Sequence, residues 1–123
     1  MERAEEKRLA GSLGKRIASA RLNADMTQQQ LAELLGVGDE AVSRIERGAV
    51  MLTLPKLFDI AQALRMRVEE LLLAASPRAN DQAMAISNHI DHLSPVDRQF
   101  VIQLVEGLAE HLGQKPASKR ARR

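Results

Sequence analysis

Residues 27–48 constrain the fold of this chain most, because they carry the signals of two short helices only a few positions apart. Thr27 is a residue type that begins helices, and Gln30 three positions later completes a capping box. Gly36 suits the left-handed backbone that ends a helix, since it has no Cβ atom to clash. Three apolar residues of this first helix share one face by their spacing: Leu31, Leu34 and Leu35.

A second helix is predicted after this turn, with Gly38 as an acceptable N-cap residue. The residues predicted to point inward are Ala41, Val42 and Ile45. The polar residues that share the opposite face are Asp39, Glu40, Ser43, Arg44 and Arg47. Such a pair of helices, joined by a tight turn and carrying an outward polar face, is suited to placing a helix in the major groove of DNA.

The composition predicts an all-α fold of one small domain with an appendage. The 123 residues are rich in Leu, Ala, Glu, Arg and Gln, and they include no Cys, Trp or Tyr. The absence of Cys fits a reducing cytoplasm and excludes Cys-based zinc sites. We also expect no membrane span, no signal peptide, no cofactor and no enzymatic activity, because the corresponding motifs are missing.

The sequence resembles the Xre/Cro/phage-repressor family of helix-turn-helix DNA-binding proteins. The resemblance is carried by residues 27–48 together with the Arg21 and Glu46 spacing, the RIERG ending at residues 44–48, and the LTLPKLFDIAQAL and VEELL segments. It covers residues 12–75 and implies a five-helix DNA-binding domain whose helix 37–47 enters the major groove. It also implies a structural ion pair between Arg21 and Glu46.

The resemblance and the chemistry of the side chains together predict the DNA contacts. The predicted base contacts are Arg44, Ser43, Glu40 and Gly38, and the predicted phosphate contacts are Gln28, Arg47 and Lys56. Arg44 is the main base reader, because arginine can donate two parallel hydrogen bonds to guanine; the alternative is an ion pair with Glu40. Glu40 could accept from cytosine or simply stabilise the first helical turn.

Charge is distributed unevenly along the chain. Residues 25–75 hold eight acidic and five basic residues, so the positive excess lies towards the two ends. Because phosphate neutralisation supplies most DNA affinity, this distribution predicts weak or partner-assisted DNA binding by an isolated core. Residues 49–52 are uncharged where the family has a basic loop, and we expect Met51 and Leu52 to cover the core instead.

The C-terminal part, residues 76–113, is predicted to be a helical dimerisation segment. A helix after Pro77 and a second one beginning at Pro95 are both amphipathic, and neither can bury its apolar face alone. The predicted dimer interface consists of Ile86, Ile90, Leu93, Phe100, Val101, Leu104 and Leu108. Residues 1–11 are predicted to be a charged arm, either frayed or a loose helical extension, that ends at a break at Gly11, and the first helix of the domain is predicted to begin near Ser12. Residues 114–123 are predicted to be a basic flexible tail.

The sequence therefore predicts a cytoplasmic transcriptional regulator, a repressor that binds a pseudo-palindromic operator as a homodimer. One alternative is an antitoxin of the same fold that represses its own operon. Another is a protein-interaction module with reduced DNA binding, in which the C-terminal helices hold a protein partner. His89 and His92 are spaced to share a metal ion, but no third ligand is placed nearby, so we interpret them as interface or surface residues; a pH-sensitive dimer is a side hypothesis.

Overall fold

The computed structural model describes residues 1–114, and every regular element in that range is an α-helix. The all-α prediction is therefore confirmed. The seven helices are α1 (Arg3–Asn23), α2 (Gln28–Leu35), α3 (Asp39–Glu46), α4 (Leu54–Ala63), α5 (Val68–Ala75), α6 (Ala79–Ile90) and α7 (Pro95–Gly113). None of these helices is both long enough and apolar enough to cross a membrane.

The chain divides into two compact units, and the division falls inside α6. The first unit comprises residues 1–86 and the second begins at Ser87. In the first unit α1 packs against α3 and α5, α2 packs against α3 and α4, and α4 packs against α5. The largest side chains buried in this core are Ile17, Leu31, Val42, Ile60 and Leu71.

Helix α1 begins at Arg3, so most of the arm is the helical extension that was one of its two expected forms, whereas the predicted start near Ser12 and the predicted break at Gly11 are wrong. The helix continues through Gly11 because Ala10 and Leu13 on either side of it are buried. A Cβ atom added to Gly48 would lie 2.6 Å from the Cα atom of Gly11, whereas a Cβ atom added to Gly11 would have nothing within 4 Å. Gly48, which is left-handed with φ of 75°, therefore permits its segment to approach α1 closely, and Gly11 does not end the helix.

The start of α2 and the turn between α2 and α3 have the predicted local structure. The hydroxyl of Thr27 accepts a hydrogen bond from the backbone N–H of Gln30, and the Gln30 side chain accepts from the Thr27 N–H. Gly36 is left-handed, with φ of 72°, and Gly38 caps α3. Leu34 shares its spacing with Leu31 and Leu35 but is 62% exposed, whereas Leu31 is buried and Leu35 packs against the core.

Helix α4 begins as predicted, with the Thr53 hydroxyl accepting from the Lys56 N–H and Pro55 in the first turn. Leu52 packs against the core, which confirms half of the prediction for the uncharged loop. The other half is wrong, because Met51 is 46% exposed. Leu52 and Val50 already occupy the available core contacts, so Met51 is left on the surface.

In the second unit, α7 begins at a capped turn. The Ser94 hydroxyl accepts from the Asp97 N–H, and Pro95 occupies the first turn as predicted. Arg98 donates from Nη1 to the Leu93 carbonyl oxygen at 2.6 Å, which fixes the segment preceding the helix. The predicted basic tail lies outside the described residues from position 115 onward.

Candidate nucleic-acid interface

Helix α3 buries one face and presents the other to solvent. Val42 and Ile45 are 1% and 8% exposed, so they anchor the helix in the core. Arg44 lies on the exposed side, and among residues 1–114 no ion pair involves it. The eight-residue helix is thus held by its apolar side while its main predicted base reader is accessible.

The acidic residue Glu40 is paired differently from the alternative suggested by the sequence. Its carboxylate lies 3.5 Å from the Nη2 atom of Arg47, not against Arg44. Both side chains are largely exposed, so this pair is solvent-screened and contributes little to stability. The pairing also offsets part of the negative charge beside Arg44.

A buried ion pair joins α1 to the end of α3, as the resemblance implied. The Arg21 side chain donates from Nε to Glu46 Oε2 at 2.6 Å and from Nη2 to Oε1 at 3.0 Å. A third hydrogen bond runs from Nη1 of Arg21 to the Met26 carbonyl oxygen at 2.8 Å. The hydrogen bond to Glu46 raises the pKa of Arg21 above its ordinary value, although burial acts in the opposite direction.

Gln28 connects this ion pair to the first turn of α2. Its Nε2 atom donates to Glu46 Oε1 at 2.9 Å, so the carboxylate accepts hydrogen bonds from both α1 and α2. Sequence reasoning did not find this bond, because no local pattern links two positions 18 residues apart. An amide nitrogen carries two N–H donors, so one donor of Gln28 is engaged here and one is left for another acceptor.

Backbone contact between α1 and α3 fixes the same end of α3. A Cβ atom added to Gly14 would lie 2.5 Å from the carbonyl oxygens of both Ile45 and Glu46. This distance is far shorter than any normal contact, so only glycine lets the two helices approach so closely. The position of α3 is therefore set by the buried ion pair and by a backbone contact that has no side chain between the helices.

The remaining predicted contact residues lie around α3. Gly38 is the N-cap of α3, Ser43 is half-buried within it, and Lys56 is in the first turn of α4. Arg44 and Lys56 both line a shallow depression between α3 and the 49–53 loop. Gln28 lies in the first turn of α2, where unpaired backbone N–H groups favour a phosphate oxygen.

The predicted interface residues of the C-terminal part are not buried within their own chain. Side chains that are about half exposed or more include Ile86, Phe100, Leu104 and Leu108, while Ile90, Leu93 and Val101 are partly exposed. His92 lies 3.6 Å from the Asp91 carboxylate on the surface. Within residues 1–114, no group of three or more His, Cys, Asp or Glu side chains could hold a metal ion.

Comparisons with known proteins agree with this geometry. The helix-turn-helix family model matches residues 17–71, which include α2, α3 and the Arg21–Glu46 pair. No curated protein matches the chain.

Two solved structures of the clp gene regulator ClgR from Corynebacterium glutamicum are similar to this chain. The first is 30% identical, with a TM-score of 0.53, over 55% of this chain and 87% of that one. The second is 25% identical, with a TM-score of 0.55, over 69% of this chain and 88% of that one. The similarity therefore covers most of each ClgR chain and extends beyond the two helices of the motif.

Proposed function

This chain belongs to the Xre/Cro-like helix-turn-helix family of DNA-binding transcriptional regulators, and on that premise we propose that it is a cytoplasmic repressor. It acts as a homodimer on a pseudo-palindromic operator, with one α3 helix in the major groove of each half-site. Half-sites then lie about 10–10.5 base pairs apart, or a multiple of that. Repression follows if the operator overlaps the site where RNA polymerase binds.

The observation that carries this proposal is the exposure of Arg44 on a helix fixed in position. An arginine on a recognition helix can donate two hydrogen bonds to guanine O6 and N7, provided that the helix cannot tilt. The Arg21–Glu46 ion pair and the Gly14 contact supply that rigidity. Ser43, Glu40 and Gly38 border Arg44 as further base contacts, while Gln28, Arg47 and Lys56 contact phosphates.

The dimer is supported by the apolar surface of α7. Its exposed side chains include Phe100, Leu104 and Leu108, which recur at four-residue spacing along one face. A contiguous exposed apolar face of this kind marks an interaction site. A second copy of the chain supplies an identical face, and the resulting two-fold symmetry matches that of a palindromic site.

The proposal is tested with duplex DNA from upstream of the protein's own gene, titrated at several salt concentrations. Arg44→Ala should weaken binding to the specific site by roughly 5–150-fold, the value of a bidentate base contact. It should also reduce the ratio between the affinities for the specific site and for random DNA. Arg78→Ala, which removes the same charge from an exposed position outside the motif, is the matched control. Binding that is indifferent to both DNA sequence and Arg44 would refute a sequence-specific repressor.

The second candidate is a protein-interaction module, favoured by the acidic excess of residues 25–75 and the exposed α7 face. Absence of DNA binding even at low salt, where phosphate contacts are strongest, would exclude the repressor and favour the protein-interaction module. An antitoxin is a variant of the repressor reading in which the C-terminal helices also cover a toxin. A toxin-like reading frame beside the gene would distinguish it.

A further inference from the structure

The shallow depression beside α3 combines an apolar lining with positive charge. It measures about 210 Å³ and lies between α3 and the uncharged 49–53 loop. Arg44 and Lys56 contribute positive charge. Its apolar lining comes from α3 and the loop, and consists of Ala41, Ile45, Val50, Met51 and Leu52. None of its lining residues in the described chain is acidic.

This combination matches the edge of a base pair in the major groove. The 5-methyl group of thymine is the apolar feature that a base pair presents there, and apolar side chains recognise it. The two cations suit the guanine and phosphate oxygens that surround such a methyl group. A shallow, open depression can accept a methyl group at the edge of a base, whereas an extruded base requires a deep pocket.

We propose that Ala41, Val50 and Met51 form a specificity-determining contact for the 5-methyl group of a thymine. The thymine belongs to a base pair adjacent to the guanine that Arg44 reads, so the inference rests on the proposed function and deepens it. Operator half-sites accordingly contain a G·C pair next to a T·A pair in either order.

The spacing of the residues supports adjacent base pairs. Ala41 was predicted to point inward, but it is only partly buried and lies at the boundary of the exposed face of α3. Because Ala41 and Arg44 are three residues apart, their side chains are neighbours on the helix surface. Successive base pairs are about 3.4 Å apart, which is less than one helical turn of about 5.4 Å. The long side chain of Arg44 can reach one base pair while the short Ala41 and the flexible Met51 meet the next.

Met51 is suited to this contact by both its exposure and its chemistry. It is 46% exposed, so it retains apolar surface that the core does not use. An unbranched thioether side chain adapts its shape to an irregular surface and is polarisable. The uncharged loop therefore has a role in reading sequence where a basic loop would contribute phosphate contacts.

The test uses the full chain and duplexes enriched by it from a randomised DNA library. Each thymine of the enriched sequence is replaced in turn by deoxyuridine, which removes the 5-methyl group alone. The affinity should fall about fourfold at the thymine adjacent to the essential guanine, as expected for one buried methyl group. It should stay unchanged at thymines elsewhere.

Substitutions then assign the effect to the depression. Met51→Ala and Met51→Gln should both reduce the thymine-to-deoxyuridine ratio towards one, whereas Met84→Ala, at a similarly exposed methionine of α6, should leave it near four. An unchanged ratio in both Met51 variants would overturn the proposal, and so would deoxyuridine effects that are absent or equal at every thymine. Failure of the library to enrich any sequence would overturn sequence-specific binding itself, and this inference with it.

Discussion

Arg21 in α1 and Glu46 at the end of α3 are joined by two hydrogen bonds of 2.6 Å and 3.0 Å, across 25 positions of the chain. Their side chains are only 11% and 7% exposed, so neither charge is well solvated without the other. Removing one partner leaves the other charge buried and unpaired, which costs more than the pair itself contributes. Loss of either partner should therefore destabilise the first unit, and the pair, together with the Gly14 contact, holds the end of α3 against α1.

Arg21→Ala should lower the free energy of unfolding by about 3 kcal/mol or more, because Glu46 then lacks its counter-charge. Urea denaturation of the purified protein measures the change. Glu69→Gln is the matched control, since it breaks an exposed ion pair with Arg67 and should cost less than about 1 kcal/mol. Similar losses in the two variants would show that the Arg21–Glu46 pair is screened by solvent.

The contribution of Arg21 should not depend on pH across the neutral range. Its pKa is raised in the folded protein, so its stabilising effect is complete below the unfolded pKa and is lost only as the pH rises through the higher folded pKa. The difference in unfolding free energy between the wild type and Arg21→Ala should therefore be equal at pH 7 and pH 10. In Arg21→Lys the corresponding loss should begin at lower pH than in the wild type, near about 10.4 where unfolded lysine ordinarily titrates, so it should become visible only above pH 10.

Gly14→Ala should destabilise the protein although alanine is the better helix former. The added Cβ atom would lie 2.5 Å from two backbone carbonyl oxygens, so α1 and α3 must separate. We expect a loss of about 1–3 kcal/mol, the range for overpacked sites, measured by thermal denaturation. Gly107→Ala is the control: nothing lies within 4 Å of its Cβ position in α7, and it should stabilise that helix by about 1 kcal/mol.

Leu104→Glu should dissociate the proposed dimer, because it places a charge in the apolar face of α7. Sedimentation velocity of the full chain at several concentrations should then show a monomer, and operator affinity should fall with it. Gln103→Glu adds the same charge one position away, outside the Phe100–Leu104–Leu108 face, and should leave the association intact. A dimer that survives Leu104→Glu would place the association elsewhere in the chain.

Local signals made most of the helix boundaries predictable from sequence. The caps at Thr27, Thr53 and Ser94 and the left-handed Gly36 follow from residue types whose effects extend over one turn. The start of α1 was not predictable in this way. Gly11 favours a break by its residue type, yet α1 continues through it and lies against the backbone of Gly48 in another segment.

The site was only partly predictable for the same reason. Exposure of Arg44 follows from the amphipathic spacing of α3, whereas the Glu40–Arg47 pair depends on side-chain conformations that sequence does not specify. Leu34 and Met51 are apolar and fit core positions by spacing, yet neighbouring helices leave them exposed. The Gln28–Glu46 hydrogen bond joins separate helices, so it becomes visible only in three dimensions.

The short length of α3 limits how many base pairs a single α3 helix could contact. Eight residues span about 12 Å, and base pairs are stacked about 3.4 Å apart, so one helix faces roughly three or four base pairs. Sequences that short recur by chance many times among the roughly 10⁶ or more competing sites of a genome. In the proposed dimer, the distance between the two half-sites would then supply much of the sequence specificity, in addition to the side chains of α3.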